Sequence, residues 1–241
     1  MLALARIARH RVPIGCRTLL VEAKAPDFTA PACMADGSFA DLKLSEYAAG
    51  KYAVLFFYPA DFTSVCATEL PGFSRLVPQL AARGAVLLGV STDTHYVHKA
   101  WKTAGPEIGG LSEFEIAYPL VGDHAKEVSR AYDCLAPDGL AVRGLFVIDR
   151  AGIVQYESRN PSSVGRDLSV PIKILDTLIH LDSLRASGLA EPVAPADWVP
   201  GRPELEGSTA GVGAYLRQMR RQPSLFPPSG GGCSAEFPGG L

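Results

Sequence analysis

The uninterrupted apolar run at residues 52–58 limits most strongly what this chain can fold into. Its sequence, YAVLFFY, stops at Pro59. A second buried strand is predicted at the mostly apolar residues 85–91, after a segment at about 65–82 that is predicted to be a helix. Segments that are apolar at every position are typical of strands buried on both faces of a parallel sheet. Helices that alternate with such strands predict an α/β sheet covered on both sides.

Two predicted hairpins extend this sheet. Asp36-Gly37 is a strong hairpin turn signal near the start of the chain. A second hairpin is predicted at 144–156, around Arg150-Ala-Gly, and it adds antiparallel strands. Further helices are predicted at about 94–104, 124–132 and 172–184, and a short strand at 118–121.

The chain divides into three predicted regions. At 241 residues it allows one large domain with appendages, because a domain typically has about 150 residues. Residues 22–190 form the predicted α/β domain, and 191–241 form a C-terminal arm and a tail rich in glycine and proline. Residues 1–21 carry arginines but no acidic residue, which is compatible with an organelle transit peptide. A disordered N-terminal extension is the expected interpretation, and the transit peptide is the alternative.

Charge, hydropathy and cysteine spacing exclude several classes of function. A net charge of −2 argues against a nucleic-acid-binding protein, and no apolar run approaches the roughly 20 residues that span a membrane. The five cysteines form no CxxC pair and no zinc motif. His95 and His98 could share a metal, but we expect exposed helix residues. Unpaired thiols suit a reducing compartment, so a cytoplasmic location is expected.

Cys66 is the cysteine whose local sequence suggests chemistry. The strand ends at Pro59, and Asp61, Thr63 and Ser64 are candidate helix caps, so Cys66 falls in the first turn of a helix. Unpaired N–H groups and the helix dipole stabilise an anion there, and a thiolate is such an anion. The alternative is a small buried hydrophobic residue, and the local sequence leaves both interpretations open.

A longer pattern resembles the peroxiredoxins, in the branch that holds the alkyl hydroperoxide reductase peroxidase subunit and the typical two-cysteine and one-cysteine enzymes. The active-site signature is Pro59-x-x-x-Thr63-x-x-Cys66, and the resemblance covers about residues 22–203. It implies a thioredoxin-like α/β fold with an N-terminal β-hairpin and a C-terminal extension. The other matching segments are Ala25-Pro-Asp-Phe, Glu69, Trp101, Arg143-Gly-Leu-Phe-Val-Ile-Asp and Val164-Gly-Arg166.

The resemblance implies a thiol peroxidase that needs no metal, haem or other cofactor. Cys66 would be the peroxidatic nucleophile, which attacks hydrogen peroxide or an organic hydroperoxide and becomes a sulfenic acid. Thr63 would hydrogen-bond the thiolate and the peroxide, and Pro59 would shield the sulfur from water. Electrons would come from thioredoxin, a flavoprotein system or a small thiol.

Three charged residues complete the site that the resemblance implies. Arg143 would lie beside the thiolate and stabilise charge on the leaving oxygen, and Glu69 and Arg166 would orient Arg143. By the same analogy a homodimer is expected, and a ring of dimers is a further option. A peroxide sensor or chaperone, in which oxidised Cys66 alters assembly, and a structural thioredoxin-fold module are the other classes considered.

The sequence departs from the two-cysteine pattern at the resolving position. Ala194 occupies the place of the resolving cysteine within Val193-Ala-Pro-Ala-Asp-Trp198, and alanine forms no disulfide. Cys233, on the glycine-rich tail, is the alternative resolving candidate. A one-cysteine cycle with an external thiol is the second interpretation. The remaining cysteines, expected to be structural or incidental, are Cys16, Cys33 and Cys134.

Overall fold

The computed structural model describes residues 20–189 and 192–223. The chain falls into two compact units, divided after Leu168. Cys16 and Cys233 lie outside the described residues, as do most of the N-terminal extension and the glycine-rich tail. The predicted region boundaries at 21/22 and 190/191 stay predictions.

The first unit is built on a mixed sheet that has seven strands within the described residues. In chain order they are β1 (Thr29–Cys33), β2 (Phe39–Lys43), β3 (Tyr52–Phe57), β4 (Ala85–Ser91), β5 (Leu120–Gly122), β6 (Arg143–Ile148) and β7 (Val154–Asn160).

The strand order β2-β1-β5-β4-β3-β6-β7 places the apolar run of the sequence inside the sheet. All six residues of β3 are buried, with parallel β4 on one side and antiparallel β6 on the other. The β1–β2 hairpin turns at Gly37, whose φ of 80° is in the left-handed region that glycine tolerates. β6 pairs antiparallel with β7, so both predicted hairpins and the mixed α/β sheet are confirmed.

Antiparallel pairing between β3 and β6 decides what lies next to the end of β3. Phe56 pairs with Leu145, so the first residue of β6, Arg143, lies beside the C-terminal end of β3. The chain leaves β3 at that end and leads directly to Pro59. Residues about eighty positions apart in the sequence thus meet at the same end of two neighbouring strands.

The helices agree with the sequence-based prediction except at two places. The four-residue α1 and the C-terminal α6 were not predicted. Two glycines, Gly211 and Gly213, obscure α6 in the sequence, and it begins where the Ser208 hydroxyl accepts a hydrogen bond from the Gly211 N–H. Among the described helices, none combines the length and the hydropathy of a membrane span. The helices are α1 (Leu44–Tyr47), α2 (Ser64–Ala82), α3 (His95–Thr103), α4 (Glu127–Ala131), α5 (Val170–Ala186) and α6 (Thr209–Arg221), with a 3-10 turn at Pro106–Ile108.

Candidate active site

Cys66 lies in the first turn of α2, as the sequence predicted. The chain leaves β3, passes the buried Pro59 and reaches Thr63, whose extended backbone makes it the N-cap residue. Cys66 is the third residue of the helix, is a free thiol and has no exposed surface. Because N–H groups in the first turn have no partner within the helix, an anion at the sulfur is favoured by the local backbone.

Thr63 is exposed, and its side chain does not cap the helix. Its hydroxyl instead donates a hydrogen bond to the carbonyl oxygen of Ala60, over 2.7 Å. The hydroxyl hydrogen is therefore used in the bond to Ala60, while the hydroxyl oxygen can still accept a hydrogen bond. The predicted contact of Thr63 with a thiolate and a peroxide remains a prediction.

Arg143 contacts the sulfur directly. Its Nη1 lies 3.2 Å from Cys66 Sγ and 2.7 Å from Glu69 Oε2. Its Nε and Nη2 both donate to the carbonyl oxygen of Ser162, over 2.9 Å and 2.7 Å. Only 2% of Arg143 is exposed. The guanidinium group is thus fixed from two sides, with one N–H directed at the sulfur.

Arg166 holds the other side of Glu69. Its Nε and backbone N–H lie 2.9 Å from Glu69 Oε1, and its Nη2 lies 2.7 Å from Oε2. The remaining nitrogen, Nη1, donates to the carbonyl oxygens of Phe57 and Gly144, over 2.8 Å and 2.7 Å. Arg166 therefore ties the carboxylate of α2 to the ends of β3 and β6.

The buried cluster contains two guanidinium groups and one carboxylate, so it carries a net positive charge beside Cys66. Burial acts to raise the pKa of Glu69, but the hydrogen bonds and charge of Arg166, together with the charge of Arg143, outweigh it and hold that pKa below its usual value. Glu69 is therefore an anion at neutral pH. A thiolate at Cys66 would balance the remaining positive charge.

The other two described cysteines are in a different environment. Cys33 and Cys134 are buried free thiols, as expected of structural residues. Burial raises the pKa of Cys134 to about 12 although Arg159 lies beside it, and burial also raises the pKa of Cys33. Both thiols are therefore protonated and weakly nucleophilic at neutral pH.

The expectation that His98 is an exposed helix residue was wrong. His98 is completely buried, and its Nδ1 lies 2.8 Å from Asp61 Oδ2. Asp61 was considered as a helix cap, but its carboxylate bonds His98 and Tyr58 instead. Within the described residues no group of three or more His, Cys, Asp or Glu side chains could hold a metal.

The side chains that the resemblance grouped together lie close to one another in the structure, but their backbone partners were not predicted. Cys66, Glu69, Arg143 and Arg166 form one contiguous cluster, with Pro59 and Thr63 on the segment that leads into it. The carbonyl oxygens that fix the two guanidinium groups, and the buried Asp61–His98 pair, were not predicted. A backbone carbonyl has no side-chain signal that a sequence could show.

Known proteins are similar to this chain in both sequence and fold. The profile of the AhpC/TSA family matches residues 21–157. The chloroplastic 2-cysteine peroxiredoxin of Chattonella marina var. antiqua is 38% identical over 84% of this chain and its own full length, and peroxiredoxin-1 of Gallus gallus is 39% identical over 76% of this chain and 90% of that protein.

A solved structure gives the same result for the fold. The reduced 2-Cys peroxiredoxin of Plasmodium vivax superimposes with a TM-score of 0.77 at 33% identity, over 83% of this chain and all of that one. The thioredoxin-like peroxiredoxin fold is therefore confirmed. The family profile, the relatives and the solved structure agree with a site in which a guanidinium group contacts a buried cysteine sulfur. The chain therefore belongs to the AhpC/TSA family and is a peroxiredoxin, a thiol peroxidase.

Proposed function

We propose that Cys66 is the peroxidatic residue of this enzyme. The thiolate attacks the terminal oxygen of the hydroperoxide, and an S–O bond forms as the O–O bond breaks. The other oxygen takes the hydroperoxide proton and leaves as water or alcohol, and the sulfenate that remains takes a proton from solvent to become the sulfenic acid. The observation that carries this proposal is the 3.2 Å contact between Arg143 Nη1 and Cys66 Sγ, inside a buried cluster of net positive charge.

Each neighbour of Cys66 has a separate role in the proposal. Arg143 stabilises charge that moves onto the leaving oxygen, and Glu69 and Arg166 keep the guanidinium group in place. Because the Thr63 hydrogen is bonded to Ala60, the Thr63 oxygen is oriented to accept a hydrogen bond from the hydroperoxide O–H. Pro59, buried at the end of β3, keeps water from the sulfur.

Replacing Cys66 with serine tests the assignment. We expect Cys66→Ser to abolish peroxide consumption in the presence of dithiothreitol, because serine at this site is not ionised and is a weak nucleophile. The matched control is Cys134→Ser, another buried free thiol, whose loss is expected to leave turnover unchanged. Residual turnover in Cys66→Ser, together with its loss in Cys134→Ser, would reverse the assignment.

Regeneration is proposed to use either Cys233 or an external thiol, because Ala194 provides no sulfur. Thioredoxin, a flavoprotein system and a small thiol are the proposed reductants. Cys233 would react with Cys66 of the same subunit or of a second subunit. A homodimer, or a ring of dimers, is proposed as the assembly that supplies the second subunit. A cytoplasmic location is proposed; the relative from Chattonella marina var. antiqua is named chloroplastic.

Mass analysis under non-reducing conditions distinguishes the two routes. After one equivalent of hydrogen peroxide, the two-cysteine route predicts a Cys66–Cys233 disulfide that Cys233→Ser eliminates. The one-cysteine route instead predicts a Cys66 sulfenic acid, trapped by dimedone, that is the same in both proteins. A disulfide from Cys66 to any other cysteine would contradict both.

A further inference from the structure

A second buried network lies immediately before Thr63 and does not include the Arg143–Glu69 cluster. The Tyr58 hydroxyl donates to Asp61 Oδ1 over 2.8 Å, and Asp61 Oδ2 lies 2.8 Å from His98 Nδ1. Tyr58 and His98 have no exposed surface, and only 6% of Asp61 is exposed. The proposed chemistry of Cys66 uses none of these three residues.

This network fixes Asp61 from several directions. The Asp61 N–H donates to Asp93 Oδ2 over 2.8 Å, and Asp93 follows the end of β4. His98, on α3, also has its Nε2 3.1 Å from the carbonyl oxygen of Val121 in β5. The loop that leads to Cys66 is therefore joined at Asp61 to three separate parts of the first unit.

The hydrogen-bond donors and acceptors require one proton between Asp61 and His98. The Val121 carbonyl can only accept, so His98 Nε2 carries a hydrogen, and the Tyr58 hydroxyl donates to Asp61. The contact of 2.8 Å between Nδ1 and Oδ2 then contains one proton, on one of the two atoms. Burial raises the pKa of Asp61, and the hydrogen bond and charge of His98 oppose this change. Loss of either partner would leave a buried polar group unpaired.

The residue after Asp61, Phe62, has an unusual backbone conformation that the Asp61–His98 network helps to hold. Phe62 has a φ of 54°, which is unusual for a bulky side chain, and 41% of it is exposed. Such backbone conformations persist only where the surroundings fix them. Here Asp61 fixes one side of Phe62, and the hydrogen bond from Thr63 to Ala60 fixes the other.

We propose that Asp61 and His98 are positioning residues for the peroxidase reaction. They hold the turn from Ala60 to Thr63, so that the Thr63 oxygen and the first turn of α2 present Cys66 to a hydroperoxide. His98 acts through Asp61 and touches no reacting atom. This proposal rests on the assignment of Cys66 as the peroxidatic residue.

Two replacements of His98 test the proposal. An asparagine amide can place its N–H near the position of Nδ1 and keep the bond to Asp61, whereas glutamine reaches the position of Nε2 and loses it. Because a misplacement of about 1 Å can cost about 100-fold in rate, we expect His98→Gln to slow the reaction of the reduced full-length protein with hydrogen peroxide by about 10- to 100-fold. His98→Asn should recover most of the rate.

Alkylation separates positioning from general damage to the fold. Iodoacetamide needs the thiolate but not the peroxide geometry, so its rate with Cys66 should fall much less than the peroxide rate in His98→Gln. Tyr132→Phe is the matched control, since it removes a partly buried hydrogen bond of 2.8 Å to the Pro26 carbonyl oxygen. It should lower stability and leave the peroxide rate unchanged.

Several results would overturn the proposal. Equal peroxide rates in His98→Gln and His98→Asn, or an equal fall in alkylation, would exclude a positioning role. If His98→Gln does not fold, Asp61→Ala decides, because it removes the two oxygens that bond Tyr58 and His98. It should be slow with peroxide and close to normal with iodoacetamide, and a normal peroxide rate would contradict the proposal. Wild-type protein in which Cys66 does not react with peroxide would refute the proposed function instead.

Discussion

Replacing Arg143 with alanine is expected to slow the reaction of Cys66 with hydrogen peroxide by about 100- to 1,000-fold, the cost typical of removing one donor that stabilises transition-state charge. In the structure Arg143 Nη1 lies 3.2 Å from the sulfur, and two hydrogen bonds to the Ser162 carbonyl oxygen and one to the Glu69 carboxylate keep it there. The donor is therefore oriented before a substrate arrives and loses no freedom during the reaction.

Ionisation of the thiol cannot account for an effect of this size. An ordinary thiol with a pKa of about 8.5 is about 3% ionised at pH 7, so complete ionisation gains only about 30-fold, or about 2 kcal/mol. The peroxide rates of the wild type and of Arg143→Ala should therefore be compared at a pH where the ultraviolet absorbance of the thiolate no longer rises. Arg143→Lys keeps a charge but lacks the planar fork, and we expect an intermediate rate. Equal rates at full ionisation would show that Arg143 acts only on the thiolate fraction.

The second large effect concerns stability. Glu69→Ala is expected to lower the free energy of unfolding by about 3–5 kcal/mol, because it leaves buried charges without their partner. Only 4% of the Glu69 side chain is exposed, and the carboxylate lies 2.7 Å from both Arg143 and Arg166. Urea unfolding measures the loss. Val164→Ala, a change to an exposed residue near Arg166, is the control and should cost little.

The same carboxylate predicts how stability depends on pH. Because its pKa is lower in the folded than in the unfolded state, Glu69 contributes stability above its unfolded value of 4.5, and the contribution is lost as pH falls through the lower folded value. Glu69→Gln, which does not titrate, should lose stability at pH 7 and show a shallower acid decline. A decline as steep as that of the wild type would assign the acid sensitivity to other groups.

Local signals in the sequence were sufficient to place Cys66, the proposed nucleophile. The all-apolar run of β3, the break at Pro59 and the capping residues before α2 are short-range features, and each predicts a structure within a few residues of itself. The position of Cys66 in the first helical turn follows from them. Its reactivity does not, because a buried cysteine in such a turn is equally compatible with a structural role.

The surroundings of the sulfur depend on the order of the strands. Arg143 meets Cys66 because β6 pairs antiparallel with β3, which no local pattern in either segment indicates. Only the resemblance to peroxiredoxins placed Arg143 there. For His98 the prediction from local sequence was wrong. A polar residue on a short helix was expected at the surface, yet Asp61 and the Val121 carbonyl satisfy both ring nitrogens in the interior.

The most direct test of the central claim is to identify the first sulfur that hydrogen peroxide oxidises. Fully reduced wild-type protein is mixed with one equivalent of hydrogen peroxide, quenched with dimedone and an alkylating agent, and mapped by mass spectrometry. We predict that the first oxidation is at Cys66, as a sulfenic acid or a disulfide formed from it, while Cys33 and Cys134 remain reduced. Oxidation of Cys33 or Cys134 while Cys66 remains a free thiol would contradict the account.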